Sequence, residues 1–333
     1  MIWFFSLSLI FIASLKIASG IQNFQLTERV LASDSVCEIA NRNRTSTLNS
    51  TPLPYCTSPK IGDFASEGQA CLYLTPPGIL KKVSEKSIVL YSSSSNSTSS
   101  TPYYERSYER GAVIILDGQA KSEVLRRLVE FSGSYYLRMN LRKFGIVNGV
   151  VGWTNTERKN HGYLQKYDKM LLELVERSRE EIEAVLLKQI FPNYILKFHK
   201  LHIRFTPHKD EIVHFDAMRA IKHKLFLRVM INVDSIPRLW AISQRYHEVA
   251  RNLNISVSSY KSCEKLLRTI NGKVKKASHA ERCENLMPRI YLNFPPGTVW
   301  LSEPRLRSHT VVNGRRAISF DWYVENRRDP LTC

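Results

Sequence analysis

The sequence predicts an α+β protein: a jelly roll, sandwich or barrel of short strands, flanked by helices and preceded by an irregular N-terminal extension. Three observations carry this prediction. From residue 201 onward the chain breaks into short β-prone runs separated by Pro, Gly or charged residues, the pattern of an all-β layer with many turns. One long amphipathic segment stands before those runs. Residues 21–90 mix short apolar runs with Pro and Ser/Thr and show no sustained period.

Taken in chain order, Met1–Leu15 is almost unbroken apolar sequence followed by Lys16 and the small residues Ala18, Ser19 and Gly20. The run is shorter than the roughly 20 residues that a membrane-spanning helix needs. Residues 1–20 therefore read as a signal peptide, with a signal anchor as the alternative. Residues 21–110 form the N-terminal extension, in which Ser92–Ser100 is a low-complexity, linker-like stretch. Gly111–Asp117 reads as a buried strand and Ser122–Phe131 as a short helix, opening a main domain over 111–333.

His161–Gln189 is the long helix: Leu164, Tyr167, Leu171, Leu174, Val175, Ile182, Val185 and Leu186 share one face, with charges opposite. It should stop at Phe191-Pro192-Asn193, because Pro cannot continue the ladder. The strands follow at Leu201–Phe205, Leu225–Val233, Arg289–Phe294, Thr298–Leu301, Thr310–Val312 and Ala317–Val324. Pro295-Pro296-Gly297 and Asn313-Gly314 are the sharpest turn signals, the second a hairpin tip. Ser243–Pro288 reads as helical or irregular and basic, with residues 251–288 as an insertion at the rim of the β-layer.

Composition narrows the partners. Forty-eight Lys plus Arg against 30 Asp plus Glu give a formal charge of +18, which favours polyanions, anionic membrane faces or acidic glycans. Four sequons (Asn43, Asn49, Asn96, Asn254) and the leader argue for export, a secretory-lumen, secreted or periplasmic location, and against nucleic acid. The six cysteines suit an oxidising compartment, and Cys263 with Cys283 is the expected pair, bracketing the insertion. None of their spacings is the Cys-x-x-Cys of a zinc site.

The residues that could carry chemistry are His214, Asp216 and His309. Side chains at i and i+2 of a strand share a face, so His214 and Asp216 can aim together, and antiparallel strands can bring His309 to them. Two imidazoles and one carboxylate on one face form the ligand set of non-haem Fe(II) oxygenases. A His-x-Asp tripeptide also arises by chance, as a solvated loop pair, and nine histidines offer other partners. His202 and His208 are rivals without a carboxylate two residues on. Trp240 and Trp300 read first as core, with sugar stacking as the functional alternative. The run Lys273, Lys275, Lys276 reads first as a solvated face.

The surroundings decide between these readings. His214-Phe215-Asp216-Ala217-Met218, the stretch Leu227 to Asp234, Pro237-Arg238-Leu239-Trp240, the stretch Phe294 to Trp300 and Ser308-His309-Thr310 occur in that order. They resemble successive blocks of the 3-deoxy-D-manno-oct-2-ulosonic acid (Kdo) hydroxylases, over roughly residues 140–325. The Pro-Arg-x-Trp and Phe-Pro-Pro-Gly-x-x-Trp pieces are the most discriminating. The resemblance implies a double-stranded β-helix, a jelly-roll or cupin-like barrel, with iron on His214, Asp216 and His309.

It further implies Fe(II), O2 and 2-oxoglutarate as co-substrate, with ascorbate a candidate accessory. The reaction expected is hydroxylation of a C–H bond coupled to decarboxylation of 2-oxoglutarate to succinate. The acceptor would be a Kdo-type acidic sugar or glycolipid, with an anionic membrane surface as a candidate peripheral contact. A cation must meet the distal carboxylate of 2-oxoglutarate. Arg204 is the first candidate, then Arg228, then Arg315 and Arg316. The alternatives are a hydroxylase of secreted protein side chains and a non-catalytic barrel that binds acidic glycans.

Overall fold

The computed structural model describes residues 70–72, 77–83, 87–92, 101–117, 122–135, 150–154, 169–204, 208–209, 212–218, 224–280 and 287–331. The leader, the Ser-rich stretch from 93 to 100, the sequons at Asn43, Asn49 and Asn96, and Cys283 lie outside these residues.

Among the described residues twelve strands form two sheets. In chain order they are β1 (Cys71–Leu72), β2 (Ile88–Ser92), β3 (Val113–Asp117), β4 (Val150–Thr154), β5 (Leu196–Arg204) and β6 (His208–Lys209). There follow β7 (Lys224–Asn232), β8 (Arg238–Arg245), β9 (Ile290–Phe294), β10 (Val299–Ser302), β11 (Arg307–Gly314) and β12 (Ala317–Arg328). The five-stranded sheet runs β1-β9-β8-β11-β6 and the seven-stranded sheet β2-β3-β10-β7-β12-β5-β4. Every pairing is antiparallel except β2 with β3.

From β5 to β12 the chain steps back and forth between the sheets, which is how a jelly roll is wound. The strands expected of a jelly-roll barrel are laid out as two ladders, neither of them closed on itself among the described residues. At the open ends of the five-stranded ladder lie β1 and β6, each only 2 residues long, too short to carry pairing onward.

The alternation along β7 and β12 divides the seven-stranded sheet into an apolar and a polar face. Leu225, Leu227, Val229, Ile231, Ile318, Phe320, Trp322 and Val324 point one way. They pack under three helices: α2 (Thr101–Glu109), α3 (Glu123–Tyr135) and α4 (Lys169–Val185), α1 being the short Pro77–Lys82. Residues between them, Arg228 on β7 and Asp321 on β12, fall on the opposite face, because the strand period is two. That inner face meets the five-stranded sheet through Trp240, Ile242, Leu292, Phe294, Trp300 and Val311. Truncating one of the buried tryptophans to Ala in such a core costs about 3–5 kcal/mol.

Part of the predicted irregular N-terminal extension is structured and belongs to this core. Strand β2 extends the large sheet beside β3, and Val89, Tyr91, Tyr104 and Tyr108 sit in its helix-covered core. The Tyr108 hydroxyl, fully buried on α2, meets the Phe226 and Ser302 carbonyls and accepts from the Arg228 backbone N–H. A strand of 5 residues and a helix of 9 hold their shape through these tertiary contacts, so no sequence period announces them.

Two further helices, α5 (Tyr246–Asn252) and α6 (Cys263–Ala280), fill the predicted insertion. They are integral rather than peripheral: Val249, Leu266, Leu267, Ile270 and Val274 bury themselves against Val213 and Phe215. The turn signal at Pro295–Gly297 stands, with Gly297 at φ 79 and its N–H bonded to the Asn232 carbonyl. The predicted hairpin at Asn313-Gly314 is corrected: β11 belongs to the five-stranded sheet and β12 to the seven-stranded one, so Arg315-Arg316 carry the chain from one sheet to the other. Gly314 itself ends β11, where a Cβ would come within 2.5 Å of Arg238. Among the described residues no helix is long and apolar enough to cross a membrane.

Candidate metal centre

The segment 212–218 leaves the regular ladder and is held from both sides. An isolated antiparallel bridge joins His214 to His309, with His214 N–H to the His309 carbonyl at 3.0 Å and the reverse bond at 2.9 Å. The Asp216 N–H donates to the Pro304 carbonyl (3.0 Å), in the turn between β10 and β11. Between the two, Phe215 is clamped by Asn271 of α6, which accepts from the Phe215 N–H (2.9 Å) and donates to its carbonyl (2.7 Å). Sequence reasoning missed Asn271. A polar side chain amid the apolar stripe of α6 was the available signal.

This framework brings the three predicted residues together. One ligand atom from each of His214, Asp216 and His309 lies within 4.8 Å of the others. Asp216 Oδ1 is 3.6 Å from His214 Nε2 and 3.8 Å from His309 Nε2, and the two rings stand 4.9 Å apart. The Nδ1 atoms face backbone carbonyls, His214 that of Ile212 (2.9 Å) and His309 that of Arg307 (3.3 Å). A carbonyl can only accept, so each Nδ1 carries the proton and each Nε2 presents a lone pair toward Asp216. Trp240 backs the His309 ring at 5.4 Å, while Trp240 and Trp300 are both buried core residues.

Electrostatics keep these groups in ligand form. Burial pushes the His309 imidazole down to about 4, against the opposing pull of Asp216, so it is neutral at pH 7. Burial alone would raise the Asp216 carboxyl, but the Arg228 guanidinium holds it well below the usual carboxylate range. His309 has a testable consequence. The unfolded chain protonates this imidazole near its ordinary 6.5, before the folded chain does, so folding loses stability as pH falls from about 6.5 toward about 4. Urea midpoints of metal-free protein should fall through that window in wild type and flatten in His309→Gln. A wild-type midpoint that stays level there contradicts the burial of a neutral ring.

The four candidate arginines are placed differently. The guanidinium of Arg228 grips Asp321 through two bonds (2.8 and 2.9 Å) and also bonds Asp216 Oδ2. Arg315 pairs with Asp234 (3.0 and 2.7 Å) and Arg316 lies 3.6 Å from the same carboxylate. That places both at the β11–β12 turn, six residues or more beyond His309, roughly 20 Å along an extended strand. The Arg204 backbone closes β5 opposite Ala317, and its side chain lies outside the described residues.

No protein-family model matches the chain, and no curated protein is similar to it in sequence. Solved structures are. The Kdo hydroxylase KdoO, a non-heme Fe(II) alphaketoglutarate-dependent dioxygenase in complex with succinate and Fe(III), gives a TM-score of 0.54 at 16% identity, over 72% of this chain and 89% of that one. Its complex with alphaketoglutarate and Fe(III) gives 0.54 and 16%, over 71% and 88%. The apo form gives 0.52 and 17%, over 71% and 88%. At such identities the likeness establishes a common fold.

Proposed function

We propose that the protein is an Fe(II)- and 2-oxoglutarate-dependent dioxygenase that hydroxylates a Kdo-type acidic sugar or a related glycoconjugate. The observation that carries this reading is the convergence of His214, Asp216 and His309 within 4.8 Å, in a fold shared with such an enzyme. The donor set fits the metal: the Nε2 atoms of two imidazoles and one carboxylate oxygen converge within 4.8 Å, the ligand types of non-haem Fe(II) oxygenases. With iron, 2-oxoglutarate and O2 bound there, the centre would supply oxidative hydroxylation of a C–H bond, yielding succinate and CO2.

The remaining tasks belong to the chain. The His214–His309 bridge and the Asn271 clamp fix the ligands to rigid β-structure. Trp240 excludes water from one side of His309. The cation for the distal carboxylate of 2-oxoglutarate is assigned to Arg204, since Arg228 is engaged by Asp321 and Asp216, and Arg315 and Arg316 face Asp234. Export is part of the proposal too: Asn254, the sequon within the described residues, is exposed on a turn at φ 52 where a glycan could attach.

The test is incubation of purified protein with Fe(II), 2-oxoglutarate and three acceptor panels: Kdo-terminated glycans, neutral glycans and secreted-protein peptides. The reading expects succinate together with a product heavier by one oxygen in the first panel only. Turnover confined to peptides would move the assignment to protein side chains. Bound iron with no succinate in any panel would leave a glycan-binding module.

A further inference from the structure

The inner face of the large sheet carries a line of charges that ends on the metal site. His202 Nε2 on β5 lies 3.2 Å from Asp321 Oδ2 on β12. Asp321 stands directly across the ladder from Arg228 on β7 and holds its guanidinium by both oxygens, Nε to Oδ1 at 2.8 Å and Nη2 to Oδ2 at 2.9 Å. The third nitrogen, Nη1, bonds Asp216 Oδ2. The side chains of Arg228 and Asp321 are 11% and 2% exposed, so water competes little for these bonds. Burial alone would strip the charge from Arg228, but the two carboxylates more than offset it and hold the guanidinium charged.

The consequence lies in which oxygen of Asp216 is left. Its Oδ2 is taken by Arg228, while Oδ1 is the atom that faces both Nε2 lone pairs. A planar guanidinium gripped by a bidentate partner cannot rotate to release that bond without breaking two others. Resting on the iron reading above, we propose that Arg228, anchored by Asp321, is a positioning residue that restricts Asp216 to ligation through Oδ1 alone. His214, Asp216 and His309 would then offer one ligand atom each, and a metal that takes six would keep three positions for other ligands. A co-substrate that chelates through two oxygens, together with dioxygen, needs the other three. Were Asp216 to bind through both oxygens, one of those positions would be lost.

The test is equilibrium titration of the purified full-length protein with Co(II), read by visible absorption, in wild type, Asp321→Asn, Arg228→Lys and Tyr194→Phe. Partners that orient metal ligands are worth roughly 10–100-fold in affinity. Asp321→Asn should therefore weaken Co(II) binding by about that factor and change the shape of the cobalt spectrum. Arg228→Lys keeps the charge but not the fork, should also weaken Co(II) binding and change its spectrum, and carries the test should Asp321→Asn fail to fold. Tyr194→Phe removes a hydrogen bond to Glu109 (3.0 Å) on the helix-covered side, lowers stability without touching the network, and should leave both affinity and spectrum unchanged. Wild-type affinity and spectrum in Asp321→Asn, or in Arg228→Lys, overturn the positioning role while the iron site stands. A wild type that takes up no Co(II) overturns both.

Discussion

Asp216→Ala is expected to abolish the proposed iron-dependent turnover and metal binding together, while leaving the fold in place. On the proposed reading Asp216 would supply the charged ligand atom; its Oδ1 lies 3.6 and 3.8 Å from the two histidine nitrogens. Losing a residue that merely orients a ligand costs about 10–100-fold in metal affinity, so losing the ligand itself should exceed about 100-fold. The cavity left is small, and the segment keeps its Asn271 clamp and its backbone bond to Pro304. Arg228 still has Asp321 for its charge, so the uncompensated-charge penalty is limited. Metal titration and succinate formation, each measured beside a urea unfolding curve, check this. Undiminished metal binding in the variant would remove Asp216 from the centre.

Arg305→Ala is expected to cost as much stability as truncating a core tryptophan. Arg305 joins Glu303 (2.8 Å) and Asp329 (2.7 Å), and the side chains of the three are 2%, 0% and 5% exposed. Removing the cation leaves two buried carboxylates facing each other. Breaking a buried pair in this way costs about 3–5 kcal/mol, a large fraction of the 5–15 kcal/mol that ordinarily holds a domain together. The deficit has a pH signature. Without Arg305 the folded carboxyl groups hold protons more tightly than in the unfolded chain, so the variant regains stability as pH falls and loses it as pH rises. Because the Pro304 carbonyl that receives the Asp216 N–H lies inside this turn, the variant should also bind metal less tightly. Urea midpoints at pH 5 and pH 8 decide it: a deficit that is small, or equal at both, contradicts the buried-triad account.

Much of this arrangement was legible in the residues. Strands β5, β7, β9, β10, β11 and β12 are legible because β-prone runs broken by Pro, Gly or charged residues, such as the Pro295–Gly297 turn, are local signals. Strand β8 was read only as a motif block. All of Arg238–Ser243 is buried, so no alternation marks it, and the chain runs straight from it into α5. The N-terminal strand β2 and helix α2 were hidden for another reason: each exists only because it packs on the sheet, as Tyr108 shows by bonding β7 and β10 at once. His214 and Asp216 are legible because i, i+2 geometry is a property of sequence, and His309 through the ordered motif blocks around it. The residues that hold them, Asn271, Arg228 with Asp321, and Pro304, act across 56, 93 and 88 positions (271 − 215, 321 − 228, 304 − 216), and no local pattern encodes such pairings.

Anaerobic equilibrium dialysis of the full-length protein against Fe(II), with and without 2-oxoglutarate, tests the joined centre most directly. The account predicts one iron per chain, loss of that iron in each of His214→Ala, Asp216→Ala and His309→Ala, and tighter iron retention when 2-oxoglutarate is present. Iron retained equally by all three variants, or indifferent to 2-oxoglutarate, would contradict it.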